Sequence, residues 1–330
     1  MSFPARAVPR IDVRVHLGPG DRREALIRDV REGLTREPKE LPPKWFYDER
    51  GSELFAEITR LPEYYLTRRE RTILAQRARM IAEQTGADTL VELGSGTSEK
   101  TRYLLDAMSG TGRLRRFVAF DVSEATLRES AARIADEYPG IDVTAVVGDF
   151  DHHLDDIPRG GRRLVAFLGS SIGNFPPDER AAFLDTLRGG LERGDSFLLG
   201  IDLVKDPERL VAAYDDRAGV TAEFNRNVLH VVNRELGADF RPECFDHVAR
   251  WNAEAEWVEL GLRSRLEQRV SIPGAGLTVQ FGRGEELRTE ISAKFRPEGA
   301  REELAAAGFA LRALWTDTRN EFALTLAVSD

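Results

Sequence analysis

From Thr89 onward, short apolar runs alternate with stretches whose apolar residues recur at helical spacing. The runs at 89–93, 116–121, 142–147, 163–168 and 195–201 read as strands, and the segments near 99–108, 124–137 and 178–191 between them read as helices. Strand and helix in repeated alternation predict a parallel, doubly wound sheet with helices on both faces. Upstream, Leu26, Ile27, Val30 and Leu34 lie on one helical stripe within 21–34, residues 69–84 read as a second helix, and residues 1–20 read as irregular. Downstream, 202–250 reads as a long, mostly helical excursion, and 256–295 alternates like antiparallel strands around the turn Pro273-Gly274-Ala275-Gly276. A helix at 297–307 and paired strands at 311–316 and 322–328 bring the chain back to the first sheet. One domain is therefore discontinuous, 69–204 plus 294–330, and 16–68 plus 205–293 forms a second lobe over the sheet's carboxyl edge.

Composition narrows the classes of function. A chain of 330 residues, 42% hydrophobic and 31% charged, can bury a substantial core in two lobes. A net charge of −9 argues against a nucleic-acid partner, because phosphate binding needs concentrated basic surface. Cys244, the one cysteine, excludes an internal disulfide and a cysteine-based zinc site and reads as a packing residue in a reducing compartment. Arg6, Arg10 and Arg14 interrupt the stretch 1–17, which is therefore no secretory signal, and no apolar run approaches the ~20 residues that span a bilayer. The expectation is a cytoplasmic protein that partners neither nucleic acid nor membrane.

The chemistry concentrates at Leu90-Val91-Glu92-Leu93-Gly94-Ser95-Gly96-Thr97-Ser98-Glu99-Lys100, which reads as strand, tight turn and a helix beginning at Thr97 or Ser98. Gly94 and Gly96 allow a sharp turn and close approach of a ligand to the backbone. The next strand ends in Asp121, where a ribose hydroxyl pair would lie, and Asp149-Phe150 follows the third strand, suiting the edge and face of an adenine. A dinucleotide site wants a third glycine where this chain has Glu99. A carboxylate beside a pyrophosphate is repulsive, whereas S-adenosylmethionine presents an ammonium and a sulfonium, so the acidic pattern favours that cofactor.

Three other clusters invite rival readings. Asp151-His152-His153 could ligate a metal, but adjacent residues in an extended loop point apart and no other cluster completes a ligand set, so no metal is expected. Gly169-Ser170-Ser171-Ile172-Gly173 matches the nucleophile elbow of hydrolases, with Asp202, His230 or His247 as partners. Asn174-Phe175-Pro176-Pro177 delays the helix an elbow requires, so these glycines read instead as a close approach to substrate, with the Asn174 amide offered to it. Glu290 and Ser292 share one face of a strand.

Pro43-Lys44-Trp45-Phe46-Tyr47-Asp48, Leu61-Pro62-Glu63-Tyr64-Tyr65, Val91 to Thr101, Gly148-Asp149-Phe150, Gly169 to Asn174, Phe224-Asn225-Arg226-Asn227 and Lys294-Phe295-Arg296-Pro297 together resemble the L-histidine Nα-methyltransferases of ergothioneine biosynthesis, over nearly the whole chain. The resemblance implies a class I, Rossmann-like α/β fold and trimethylation of the histidine α-amine to hercynine by S-adenosylmethionine. It implies that Gly94, Lys100, Asp121, Asp149 and Phe150 hold the cofactor. Tyr64, Asn174 and Tyr214 would grip the amino-acid carboxylate and place the amine, while Tyr47, Glu290 and Ser292 would read the imidazole. A monomer is expected, and L-histidine is the expected partner. Gly261 and Ala293 stand where a bulky residue and a cysteine are common in the family, and Leu260 is a candidate to line the pocket. Related enzymes act on tryptophan-derived amines, and Glu290 speaks against that substrate, because a bulky indole would want an apolar residue there.

Overall fold

The computed structural model describes residues 11–150 and 152–329. The chain runs through β1 (Ile11–Val15), α1 (Pro19–Thr35), β2 (Lys39–Glu40), α2 (Glu49–Ile58), α3 (Leu66–Thr85), β3 (Thr89–Leu93), α4 (Arg102–Gly110), β4 (Arg116–Asp121), α5 (Glu124–Glu137) and β5 (Asp142–Val147). It continues through β6 (Arg163–Phe167), α6 (Pro177–Gly190), β7 (Ser196–Asp202), α7 (Pro207–Ala212) and α8 (Val220–Leu236). Strands β8 (Phe245–Asn252), β9 (Trp257–Ser264), β10 (Gln268–Ile272), β11 (Leu277–Phe281) and β12 (Glu286–Ala293) follow, then α9 (Pro297–Ala306), β13 (Phe309–Thr316) and β14 (Phe322–Ser329).

The large sheet has the order β1-β5-β4-β3-β6-β7-β14-β13, parallel from β1 to β7 and antiparallel at β14 and β13. Alternate residues of each strand face opposite sides. Leu90, Phe117, Val143 and Leu164 pack with Leu74 of α3, Leu105 of α4 and Leu127 of α5, whereas Val91, Val118, Val146 and Val165 pack with Leu184 of α6 and Leu304 of α9. Burial on both faces is why these strands read as continuous apolar runs. A second sheet, β2-β12-β9-β8, shares the first of these cores through Leu260, Leu262 and Leu287, and β10 and β11 form a separate hairpin.

Three expectations change. Residues 11–15 of the segment read as irregular form strand β1, parallel to β5 with Val13 opposite Ala145, while residues 1–10 lie outside the described residues. The alternation of Ile11, Val13 and Val15 was legible, but an exposed edge strand buries little and leaves a weak signal. The excursion 202–250 ends in a strand, β8, whose half-exposed edge position blurs its period. Helix α4 starts at Arg102, because Gly94, Gly96 and Ser98 all take left-handed backbone angles (φ +64°, +47° and +53°) that a right-handed helix cannot contain. Among the described residues no helix is long and apolar enough to cross a membrane.

Candidate active site

The loop from Gly94 to Thr101 caps the carboxyl end of β3. The Gly96 N–H donates to Asp121 Oδ2 at 2.9 Å and the Ser123 N–H to Asp121 Oδ1 at 3.0 Å, so the carboxylate at the end of β4 is fixed facing the loop. Burial raises the Asp121 pKa, and the backbone donors work against it. A Cβ built on Gly96 would meet nothing within 4 Å, so open space lies over the turn, and the buried Ser95 hydroxyl beside it has no hydrogen-bond partner among the described residues. Both features fit a polar ligand resting on the loop. Behind it, Glu92 is buried under Thr101, which donates to its carboxylate, and burial pushes its pKa up to about 8.

Phe150 stacks on Phe120 with centroids 5.5 Å apart and reaches toward Gly94. Asp149 holds the turn that follows β5, accepting from the His152 N–H at 3.0 Å. The imidazoles do not point apart as expected: Nδ1 of both His152 and His153 lies 3.1 Å from Asp149 Oδ1. Burial works upward on this carboxyl, but the His152 hydrogen bond and the fields of Lys44, His152 and His153 carry its pKa below the ordinary value. Asp151 lies outside the described residues, and no group of three or more metal-ligating side chains that could hold an ion occurs among those described. Lys100 pairs with the buried Glu70, whose other oxygen accepts the Gly169 N–H at 2.8 Å. An ammonium has three donors, so this pairing leaves Lys100 able to meet a ligand carboxylate as well.

The other half of the site faces this loop. Tyr64 and Tyr214 meet edge to face with centroids 6.2 Å apart, Phe55 joins Tyr64 to Tyr47, and Phe224 of α8 packs on Tyr47 at 5.5 Å. Tyr47 is held at both flanks: Asn227 donates to the Phe46 carbonyl at 3.1 Å and to Asp48 at 2.7 Å. This explains the Phe224-Asn225-Arg226-Asn227 motif, which ties the aromatic segment to α8. Burial raises the pKa of all three tyrosines, followed by the field of Glu290 at Tyr47, of Tyr214 at Tyr64 and of Asp202 at Tyr214, so their phenols stay protonated and serve as donors. The charge of Asp121 adds to the shift of Tyr47.

On β12 the register slips between Arg288 and Glu290, a bulge that aims the following residues. Asn174 Nδ2 donates to Glu290 Oε1 and to the Ile291 carbonyl, both at 2.9 Å. Both neighbours are acceptors, so the amide orientation is fixed and both its N–H groups are spent. Only Oδ1 remains, so toward a ligand Asn174 can accept, which suits an amine rather than a carboxylate. Gly173 permits this approach, because a Cβ there would stand 2.8 Å from the Ala293 carbonyl oxygen. Burial pushes the Glu290 carboxyl up to about 7, opposed by the Asn174 hydrogen bond and the Lys294 charge.

Sequence reasoning gave Lys294 no role and named Asp202 only within the hydrolase reading it set aside. Lys294 Nζ lies 2.8 Å from Tyr214 Oη, 2.8 Å from Ser292 Oγ and 3.0 Å from Asp202 Oδ2. Asp202 also accepts from Tyr65 at 2.8 Å and from Lys205 at 2.6 Å. The hydrolase reading finds no triad among the described residues. Ser171 Oγ donates to the Leu168 carbonyl at 3.3 Å, and the His247 nitrogens engage Asn225 and the Tyr214 carbonyl, each at 2.8 Å. The missed signal was the period of two: Glu290, Ser292 and Lys294 share one face.

A family model described as histidine-specific methyltransferase, SAM-dependent, matches residues 26–329. The chain belongs to this family. It is 60% identical over 305 residues to the histidine N-alpha-methyltransferase of Mycolicibacterium smegmatis, covering 92% of this chain and 95% of that protein. It is 58% identical over 318 residues to the protein of the same name from Mycobacterium tuberculosis, covering 96% and 99%. Ergothioneine biosynthesis protein 1 of Neurospora crassa is 35% identical over 206 residues, 61% of this chain and 23% of that protein. The resemblance read from the motifs is thus a family membership.

Proposed function

We propose that this methyltransferase transfers methyl groups from S-adenosylmethionine to the α-amine of L-histidine, three in succession, producing hercynine at the entry to ergothioneine biosynthesis. The observation that carries the reading is Glu290, a half-buried carboxyl held by Asn174, with its pKa raised and its field felt by Tyr47, Tyr64 and Tyr214 of the aromatic cluster. A carboxyl there can accept an imidazole N–H, and an indole gains little from it.

Gly94, Lys100, Asp121, Asp149 and Phe150 would hold the cofactor on 69–204 plus 294–330, and 16–68 plus 205–293 would bind the amino acid. The cofactor supplies an electrophilic methyl group on a sulfonium. The protein's task is alignment of the attacking nitrogen with that carbon. Asn174 Oδ1 accepts an N–H of the amine and turns its lone pair toward the loop, and the protonated phenols of Tyr64 and Tyr214 donate to the carboxylate. The phenols do not serve as bases, since each resists ionisation, so the amine proton leaves through other groups or water. As methyl groups accumulate, the Tyr47 and Tyr64 faces accommodate a growing cation by cation–π contact.

The test is a set of initial rates with labelled S-adenosylmethionine and histidine, histamine or tryptophan. Turnover with histidine well above the other two supports the reading. Preference for tryptophan would overturn the assignment of Glu290 while leaving the family intact.

A further inference from the structure

Lys294 is fully buried, its motif Lys294-Phe295-Arg296-Pro297 has no part in the reading above, and its ammonium is the third corner of a triangle with Tyr214 Oη and Ser292 Oγ. The Tyr214–Ser292 side is 2.7 Å. Hydrogen counting around this triangle gives a definite result. A charged lysine has three donors and no acceptor, and these three go to Tyr214, Ser292 and Asp202. Both hydroxyl oxygens are therefore acceptors from Lys294. The two hydroxyls bring two protons, and one is used in the bond between them. One O–H, and only one, is left to point at a ligand.

We infer that Lys294 is a positioning residue that fixes the hydrogen-bond polarity of Tyr214 and Ser292, so that this pair offers the amino acid a single, pre-aimed donor. The inference rests on the reading of the pocket as an amino-acid site. A neutral amine at Lys294 could accept from either hydroxyl, and the outward donor would be lost. The groups facing Lys294 decide its charge. Asp202 and Glu290 favour the ammonium, and Lys205, which shares Asp202, and burial oppose it, with burial prevailing to lower its pKa. Tyr65, bonded to both Asp202 oxygens, keeps that carboxylate in place behind the triangle.

The experiment is a double-mutant cycle on histidine turnover, between Lys294→Met and the pair Tyr214→Phe/Ser292→Ala, with S-adenosylhomocysteine affinity measured on every variant. Lys294→Met in the wild-type background is expected to raise KM for histidine about tenfold or more, with cofactor affinity unchanged. In the background lacking both hydroxyls the same substitution should add almost nothing. An equal loss in both backgrounds, or no loss in either, overturns the inference. Should Lys294→Met fail to fold, Asp202→Asn gives a second reading. Removing the charge that favours the ammonium should move the alkaline limb of kcat/KM for histidine to lower pH, and an unmoved limb overturns the inference. Absence of histidine turnover in the wild type would instead overturn the substrate reading on which it rests.

Discussion

Replacing Glu290 by Gln should make the ligand-free protein more stable and the enzyme worse, and the two effects follow from one carboxyl. Burial raises Glu290 from its ordinary 4.5 to about 7. At about 1.36 kcal/mol per pH unit, that displacement is a cost of about 3 kcal/mol to the folded state once the group must ionise. A raised carboxyl pKa means that the folded chain binds its proton more tightly than the unfolded chain does. The contribution of Glu290 is therefore most favourable below pH 4.5, declines as pH rises toward 7, and is fully unfavourable above it. Glu290→Gln keeps the shape and an acceptor oxygen for Asn174 but removes the charge. Denaturant titrations at pH 8 should show the variant more stable by up to about 3 kcal/mol, which at about 2 cal/mol/K per residue corresponds to a Tm higher by about 4–5 °C. Near pH 5 the difference should shrink toward zero. Calorimetric titration of histidine at pH 8 should show the opposite sense, binding weakened about ten- to hundredfold by loss of a charge-assisted hydrogen bond. A stability difference that does not change between pH 5 and pH 8 would refute the reasoning, as would unchanged histidine affinity.

Other perturbations test separate parts of the site. Asp121→Ala removes the acceptor of the Gly96 and Ser123 N–H groups and should weaken cofactor binding at least tenfold, measured with S-adenosylhomocysteine, while histidine affinity changes little. Gly173→Ala drives a methyl group against the Ala293 carbonyl and should cost about 1–3 kcal/mol in denaturant stability, with a rise in KM for histidine as Asn174 is displaced. Asn227→Ala frees the segment around Tyr47 and should raise KM for histidine severalfold with kcat less affected; equal effects on both would place Tyr47 differently.

Much of this architecture was legible because parallel strands buried on both faces leave apolar runs that little else produces. The parallel strands β3 to β7, the helices between them and the returning strands β13 and β14 follow from the alternation and its spacing. Strands β1 and β8 were missed for the converse reason: each lies at a sheet edge, where partial exposure permits charged residues and erases the pattern. The substrate side was less legible from residue pattern, since its side chains come from four distant stretches. Tyr47 and Tyr64 lie between β2 and β3, Asn174 follows β6, Tyr214 follows α7, Glu290 and Ser292 belong to β12 and Lys294 follows it directly. Spacing cannot bring such residues together, and there the resemblance supplied the grouping. Even so it gave Lys294 no role, and it gave no hint that both Asn174 donors are spent inside the protein.

The central claim is tested most directly by mass spectrometry and proton NMR of the product formed from histidine and excess S-adenosylmethionine. Three methyl groups on the α-nitrogen, with the imidazole unmodified, is the predicted result. Methylation of a ring nitrogen, or no methylation of histidine while a tryptophan-type amine is consumed, would contradict the account.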